Sequence, residues 1–204
     1  MKFGVRIATV LLLLSTINCA NADEQAVDVV KKTTSSVLDR VRNEKEALRT
    51  DPAKTYSLVS ELVFPRFDFE IMSRIVLGGH WGEAQEELKA QFVLQYRKLL
   101  VRTYASALLE FSDQKIAYPD NVDTGNENTA VVRQDISGSG GTILPVIYRL
   151  HNKAGEGKWL VFDVSVDGVS LVKTYRASFA TIIKQDGLEG LIRSLESKNA
   201  QFGG

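Results

Sequence analysis

An α+β fold, with helices packed on a curved antiparallel four-stranded sheet, follows from three observations. The first half of the chain carries apolar residues at helical spacing, in segments punctuated by proline and glycine. From about residue 115 the period changes to two, in four short runs joined by polar, glycine-rich links. From about residue 171 the helical spacing returns. Helices and strands are thus segregated along the chain, and short links between successive strands favour antiparallel neighbours, because parallel ones need long crossovers. An apolar sheet face opposite several broad apolar helix stripes leaves room for an apolar cavity between the layers, with a filled core as the alternative.

The first predicted helix covers residues 23–49, where Val27, Val30, Thr34, Val37, Leu38, Val41 and Leu48 share a face. Asp51 caps and Pro52 starts a second helix, which carries Tyr56, Val59, Leu62 and Val63 and ends near Phe64 and Pro65. A third, short helix at 68–77 is stopped by Gly78 and Gly79. The fourth follows Gly82, with Leu88, Phe92, Tyr96, Leu99, Leu100, Thr103 and Ala107 as its stripe. The strands fall at 115–118, 130–136, 143–150 and 159–166. Alternation in the last puts Leu160, Phe162, Val164 and Val166 on one side and Trp159, Val161, Asp163 and Ser165 on the other. Leu144, Val146, Tyr148 and Leu150 repeat the apolar face one strand earlier, and Leu188, Leu191, Ile192 and Leu195 mark the core face of the last helix. No internal repeat and no second domain is visible.

The N-terminus reads as an export signal. Lys2 and Arg6 precede an apolar run at 7–14, and Ala20 and Ala22 place small residues where a signal peptidase reads, which predicts cleavage after Ala22. Residues 1–22 are then the signal peptide and 23–204 a single exported domain. The apolar run is too short to span a bilayer. Cys19 raises acylation as a rival, but Asn18 is a poor fit before it and one acyl chain anchors only marginally. Cleavage after Ala22 removes the lone cysteine, so the mature fold must hold by packing without disulfides. It also removes Lys2 and Arg6 from 25 basic residues and none of 25 acidic ones, which leaves a nearly neutral chain. Nucleic acid is an improbable partner for a chain with no concentrated basic footprint.

Residue types that carry chemistry are sparse. His80 and His151 are far apart and no cysteine survives processing, so a metal site has little support and no cofactor is expected. Ser170 lacks the second glycine of a nucleophile elbow, and the Gly138–Gly141 stretch has no lysine after it and reads as a hairpin link. Asp163 is the one acid on an apolar strand. Curved-sheet α+β folds of NTF2-like character host isomerases that use such a carboxylate as base, so an isomerase or hydrolase working through Asp163 is the alternative function. The structural reading of Asp163 is a bond to Arg149 or Arg176 that holds strand to helix.

Phe67, Asp68, Met72, Ser73, Arg74, Leu77, Gly78 and Trp81, then Thr103 and Tyr104, then Trp159, Val161, Asp163, Gly168, Val169, Ser170, Leu171, Tyr175 and Arg176 follow one another in a recognisable order. In that order and spacing the chain resembles the MlaC, or toluene-tolerance auxiliary, family of periplasmic phospholipid carriers. The resemblance covers nearly all of the mature chain; Gly82 departs from it, where a larger polar residue is expected.

The resemblance implies a periplasmic shuttle, most simply a monomer, with phospholipid as cargo. It would exchange lipid between an outer-membrane lipoprotein–porin complex and the lipid-binding ring of an inner-membrane ABC transporter, and so maintain outer-membrane lipid asymmetry. On this basis Val146, Tyr148, Phe162, Val164 and Val166 are expected on the sheet side of the cavity. Met72, Ile75, Val76, Leu100 and Tyr104 are expected on the helical side, with Tyr175 and Phe179 near a closing helix. A purely structural adaptor, with tight partner binding and no cavity, is a further alternative.

Overall fold

The computed structural model describes residues 17–110, 113–119, 123–126, 128–138, 141–153 and 158–200. The apolar run at 7–14, the link residues 139–140 and 154–157, and the tail at 201–204 lie outside them. In chain order come α1 (Ile17–Thr50), α2 (Pro52–Leu62), a 3-10 turn (Phe64–Arg66), α3 (Phe69–Leu77), α4 (Gly79–Glu83) and α5 (Glu86–Glu110). Strands β1 (Lys115–Ala117), β2 (Asp123–Asn126), β3 (Thr129–Ser137), β4 (Ile143–Lys153), β5 (Lys158–Val166) and β6 (Val169–Ser170) follow, then α6 (Leu171–Ala200). Helix α1 starts upstream of the expected cut, so cleavage after Ala22 would leave Asp23 at its amino end.

The helix boundaries follow from side-chain chemistry. The Asp51 carboxylate accepts from the Ala53 N–H at 2.9 Å, with Pro52 in the first turn of α2. Asp68 caps α3 through the Ile71 N–H at 3.0 Å, while its other oxygen meets His151 Nε2 at 3.0 Å and its backbone N–H donates to the Val161 carbonyl at 2.8 Å. One residue therefore ties α3 to both β4 and β5. At the other end of α3, Gly78 has φ +57°, and the Arg176 guanidinium sits 3.0 Å from where a Cβ would be.

The sheet is antiparallel, with β3, β4 and β5 as a meander; β1 and β2 both pair with β3, and β6 pairs with β5. It thus holds two segments more than the four expected. The missed β2 is Asp-Thr-Gly-Asn, which carries no strand propensity of its own. The missed β6 is two residues long and returns through Asp167 (φ 50°) and Gly168 (φ 80°), an Asp-Gly pair suited to a two-residue hairpin turn.

A bulge corrects the predicted faces of β5. Val166, Val164 and Asp163 pair with Val146, Tyr148 and Arg149, but the next partner of Leu150 is Val161, so Phe162 is the extra residue. Trp159 and Val161 consequently join Val164 and Val166 on one face, instead of opposing them. Phe162 turns to the other side, where it meets the His151 ring at 6.1 Å.

Two cores form rather than one. A helical core gathers Phe92, Tyr96, Met72, Leu191 and their neighbours from α2, α3, α5 and α6. A second joins Ala26 and Val30 of α1 to Val132, Leu150, Trp159 and Val161 on the sheet. Helix α6, bent at Gly187 (φ 72°), packs on α3 and α5.

Candidate functional site

Between these two cores lies a cavity of about 290 Å³, lined almost wholly by apolar side chains. That is close to the lower end of the range for small-molecule sites, roughly 300–1,000 Å³. Helix α1 forms one wall through Val29, Val30, Thr34, Val37 and Leu38. Phe64, Phe67, Phe69 and Met72 form a second, around the 3-10 turn and the start of α3. Leu100, Val101, Tyr104 and Ala105 of α5 form a third. The sheet closes it with Gln134, Ile136, Val146, Tyr148, Val161, Val164 and Val166.

Of the residues singled out from sequence, Met72, Leu100, Tyr104, Val146, Tyr148, Val164 and Val166 meet on this cavity. Ile75, Val76, Phe162, Tyr175 and Phe179 stand elsewhere. Val76 lies one turn beyond Met72 and is buried in the helical core, and Ile75 packs against that core too. Phe162 is turned away by the bulge. The Tyr175 and Phe179 rings lie tilted against each other at 5.4 Å in the seam of α6 with α5, where each meets the Tyr96 ring. From α6 only Leu171 reaches the cavity, so α1, and not the last helix, covers it.

Several lining residues escaped the sequence reading. Phe64, Phe67 and Phe69 are three phenylalanines clustered at a helix break, a signal in the sequence that marks an apolar surface there. Gln134 is a polar residue amid the apolar alternation of Ala130, Val132 and Ile136, the kind of exception that points to a paired interior group. It is 1% exposed, accepts from the Tyr148 hydroxyl at 2.7 Å, and donates to Tyr118 at 3.3 Å and Thr34 at 3.4 Å. This cluster ties α1 to three strands' worth of sheet and leaves the amide's donors occupied. Burial pushes the Tyr148 hydroxyl well above its ordinary pKa, with Tyr118 nearby adding to it. Burial raises Tyr118 as well, opposed by its bonds to Thr34 and Gln134. On α5 the Tyr104 hydroxyl is raised by burial and then by its hydrogen bond to Tyr175.

Asp163 lies on the opposite sheet face and is 3% exposed. One oxygen accepts from Ser170 Oγ at 2.7 Å and Arg149 Nη1 at 3.1 Å; the other accepts from the Val172 N–H at 3.3 Å. Arg149 also donates to Ser165 Oγ at 2.9 Å, and Ser170 Oγ accepts from the Lys173 N–H. Of the two arginines expected beside Asp163, Arg149 holds it, while Arg176 donates to the Ile75 carbonyl at the end of α3. The carboxylate thus anchors the amino end of α6 to β5, engaged on both oxygens and facing away from the cavity. Among the described residues, no three His, Cys, Asp or Glu side chains converge as metal ligands, and no helix is long and apolar enough to cross a membrane.

The family model described as MlaC protein matches residues 31–197. The toluene tolerance protein ttg2D of Pseudomonas putida is 30% identical over 162 residues, spanning 78% of this chain and 74% of that protein. The intermembrane phospholipid transport system binding protein MlaC of Haemophilus influenzae is 23% identical over 185 residues, spanning 89% and 86%. The structure of a phospholipid-binding protein from Ralstonia solanacearum, solved in complex with a phospholipid, superposes with a TM-score of 0.79 at 29% identity, covering 88% of this chain and 99% of that one.

Proposed function

Because this chain belongs to the MlaC family, we propose that it is a periplasmic phospholipid carrier whose acyl chains occupy the cavity between α1, α3, α5 and the sheet. The export signal is removed after Ala22, and residues 23–204 act as one monomeric carrier domain. Met72, Leu100, Tyr104, Val146, Tyr148, Val164 and Val166 contact the chains, and Met72 adapts to chains of different shape. The carrier exchanges lipid between an outer-membrane lipoprotein–porin complex and the lipid-binding ring of an inner-membrane ABC transporter. Its task is to keep phospholipid out of the outer leaflet of the outer membrane.

The observation that carries this reading is the cavity itself: lined almost wholly by apolar side chains and placed at the seam of two separate cores. An acyl chain of roughly 16 carbons costs on the order of 13 kcal/mol to expose to water, at about 0.8 kcal/mol per CH₂. A dry cavity of matching chemistry removes that cost during an aqueous crossing. Nothing favours Asp163 as a base, since both its oxygens are held by structural donors. Denaturing extraction and mass spectrometry of protein purified from a bacterial host should yield phospholipid in near-stoichiometric amount. Protein that is reproducibly empty, and that takes up no phospholipid from vesicles, would overturn the proposal.

A further inference from the structure

The cavity wall is apolar except for the buried Gln134 cluster, two threonines, Tyr104 and one cation, Arg66. Arg66 ends the 3-10 turn and is exposed, so it stands at a mouth and not in the interior. Two residues earlier, Phe64 forms part of the same wall, and a second guanidinium, that of Arg97 on α5, lies over its ring at 4.3 Å and over Phe69 at 5.1 Å. The Arg97 Nε–H is buried and has no hydrogen-bond partner. The Arg97 charge is thus held against the two rings rather than spent on a protein acceptor at Nε.

The carboxylates nearest in sequence are engaged elsewhere. Glu61 pairs with Arg40, Asp68 with His151 and the α3 cap, and Glu70 with Arg74. Among the described residues neither Arg66 nor Arg97 has a carboxylate partner. A nearly neutral chain thus leaves two cations uncompensated beside one aromatic step at the rim of an apolar cavity. The ligand complementary to that arrangement has an apolar body and an oxyanion at its end, which in the proposed cargo is the phosphodiester. A guanidinium offers the planar fork that such an oxyanion accepts on two oxygens.

We propose that Arg66, with Arg97 behind Phe64, forms the subsite for the phosphodiester of the cargo, fixing which end of the lipid stays at the mouth. This rests on the carrier reading above and adds recognition of the anion to it. Arg66 makes the contact. Arg97 holds Phe64 and Phe69 in place and adds positive potential from behind the ring.

The test compares two lipids with the same acyl chains, phosphatidylglycerol and diacylglycerol, the second lacking phosphate. Delipidated mature protein is incubated with phosphatidylcholine vesicles containing one or the other, separated, and extracted for mass spectrometry. Arg66→Gln, at an exposed position, should retain on the order of tenfold less phosphatidylglycerol than wild type with diacylglycerol unchanged, the size expected for losing a charge-assisted bond. Arg66→Lys should fall between, because a point charge replaces the fork. Arg97→Lys keeps the charge but not the planar group over the two rings, so it should lose part of the same selectivity, scored on protein shown folded by circular dichroism. Equal retention of phosphatidylglycerol by wild type and Arg66→Gln overturns the subsite while leaving the carrier reading standing. Wild-type protein that takes up neither lipid overturns both. Equal loss of both lipids in Arg66→Gln also overturns the subsite, because the defect is then one of shape. So does intact retention with lost delivery to acceptor membranes, which would make Arg66 a docking contact. Inorganic phosphate that shifts the Arg66 guanidinium NMR signal of the empty protein, with phosphatidylglycerol retention indifferent to Arg66→Gln, assigns the site to free phosphate and overturns the headgroup assignment.

Discussion

Replacing Asp163 separates its anchoring role from any role in chemistry. Asp163→Ala removes the acceptor for Ser170 Oγ, for Arg149 Nη1 and for the backbone amide of Val172, all from a site 3% exposed. Breaking a buried ion pair by deleting one partner costs about 3–5 kcal/mol. The Arg149 side chain is 38% exposed and can turn to water, which lowers the expected loss to roughly 2–4 kcal/mol. Asp163→Asn keeps the shape and one acceptor, so roughly 1–3 kcal/mol is expected. Either is a large share of a net stability of about 5–15 kcal/mol. The assay is equilibrium denaturation of delipidated protein, with lipid loading measured in parallel below the transition. A double-mutant cycle with Arg149→Met should return a coupling of about 0.5–3 kcal/mol. A loss below about 1 kcal/mol for Asp163→Ala would refute the anchor. Loading that disappears in Asp163→Asn at unchanged stability would refute the assignment of this residue to the far face of the sheet.

Three further outcomes are expected. Ala105→Trp, on the α5 wall, fills part of the cavity at a cost of roughly 1–3 kcal/mol and should sharply reduce co-purifying phospholipid; undiminished loading would place the chains elsewhere. Gly78→Ala forces a side chain into a backbone with φ +57° and against Arg176, so a loss of roughly 1–3 kcal/mol in thermal or urea unfolding is expected, and a neutral result would contradict that local geometry. Burial raises the Tyr96 hydroxyl, helped by Tyr175 and Asp163, and raises Tyr148 likewise, above the ordinary value of 10.0. The fold therefore favours their protonated forms, so their contribution is complete below pH 10.0 and is lost as pH rises through the folded values, by about 1.4 kcal/mol per pH unit for each. Tyrosinate absorbance of these two should appear only with alkaline unfolding, and its appearance in protein with native circular dichroism would contradict their burial.

Helix positions and the central meander were legible in the sequence because caps, prolines and period-two runs carry local information. The Asp51 cap with Pro52 behind it and the Gly78 stop are where the pattern puts them. The faces of β5 were not legible, because one extra residue at Phe162 reverses the alternation and no local signal announces it. That single slip brings Val161 onto the cavity face and turns Phe162 away from it. The resemblance pointed in part to bracing positions. Asp68, Gly78, Asp163, Ser170 and Arg176 hold α3 and α6 to their neighbours, whereas α1, which supplies a whole wall of the cavity, contributes none of the residues that carried it. Motif residues mark where a fold must not slip; a greasy wall accepts any side chain of suitable size, so its members leave little trace in a single sequence.

The energetic scale of the cavity bears on how such a protein can work. At about 24 cal/mol per Å³ for a sealed apolar void, a cavity of about 290 Å³ would correspond to at most roughly 7 kcal/mol of missing packing, and its open mouth lowers that. The upper bound equals a large part of the net stability of an ordinary domain. A ligand that fills the space recovers this packing and is held in proportion. The proposed cargo leaves a bilayer that already solvates its chains, so only the difference between membrane and cavity sets the affinity, and a reversible carrier requires that difference to be small. Loading and unloading are then both accessible, and the carrier by itself only equilibrates lipid between the membranes it visits. Net direction of the proposed transport would require a differential interaction supplied from outside the carrier.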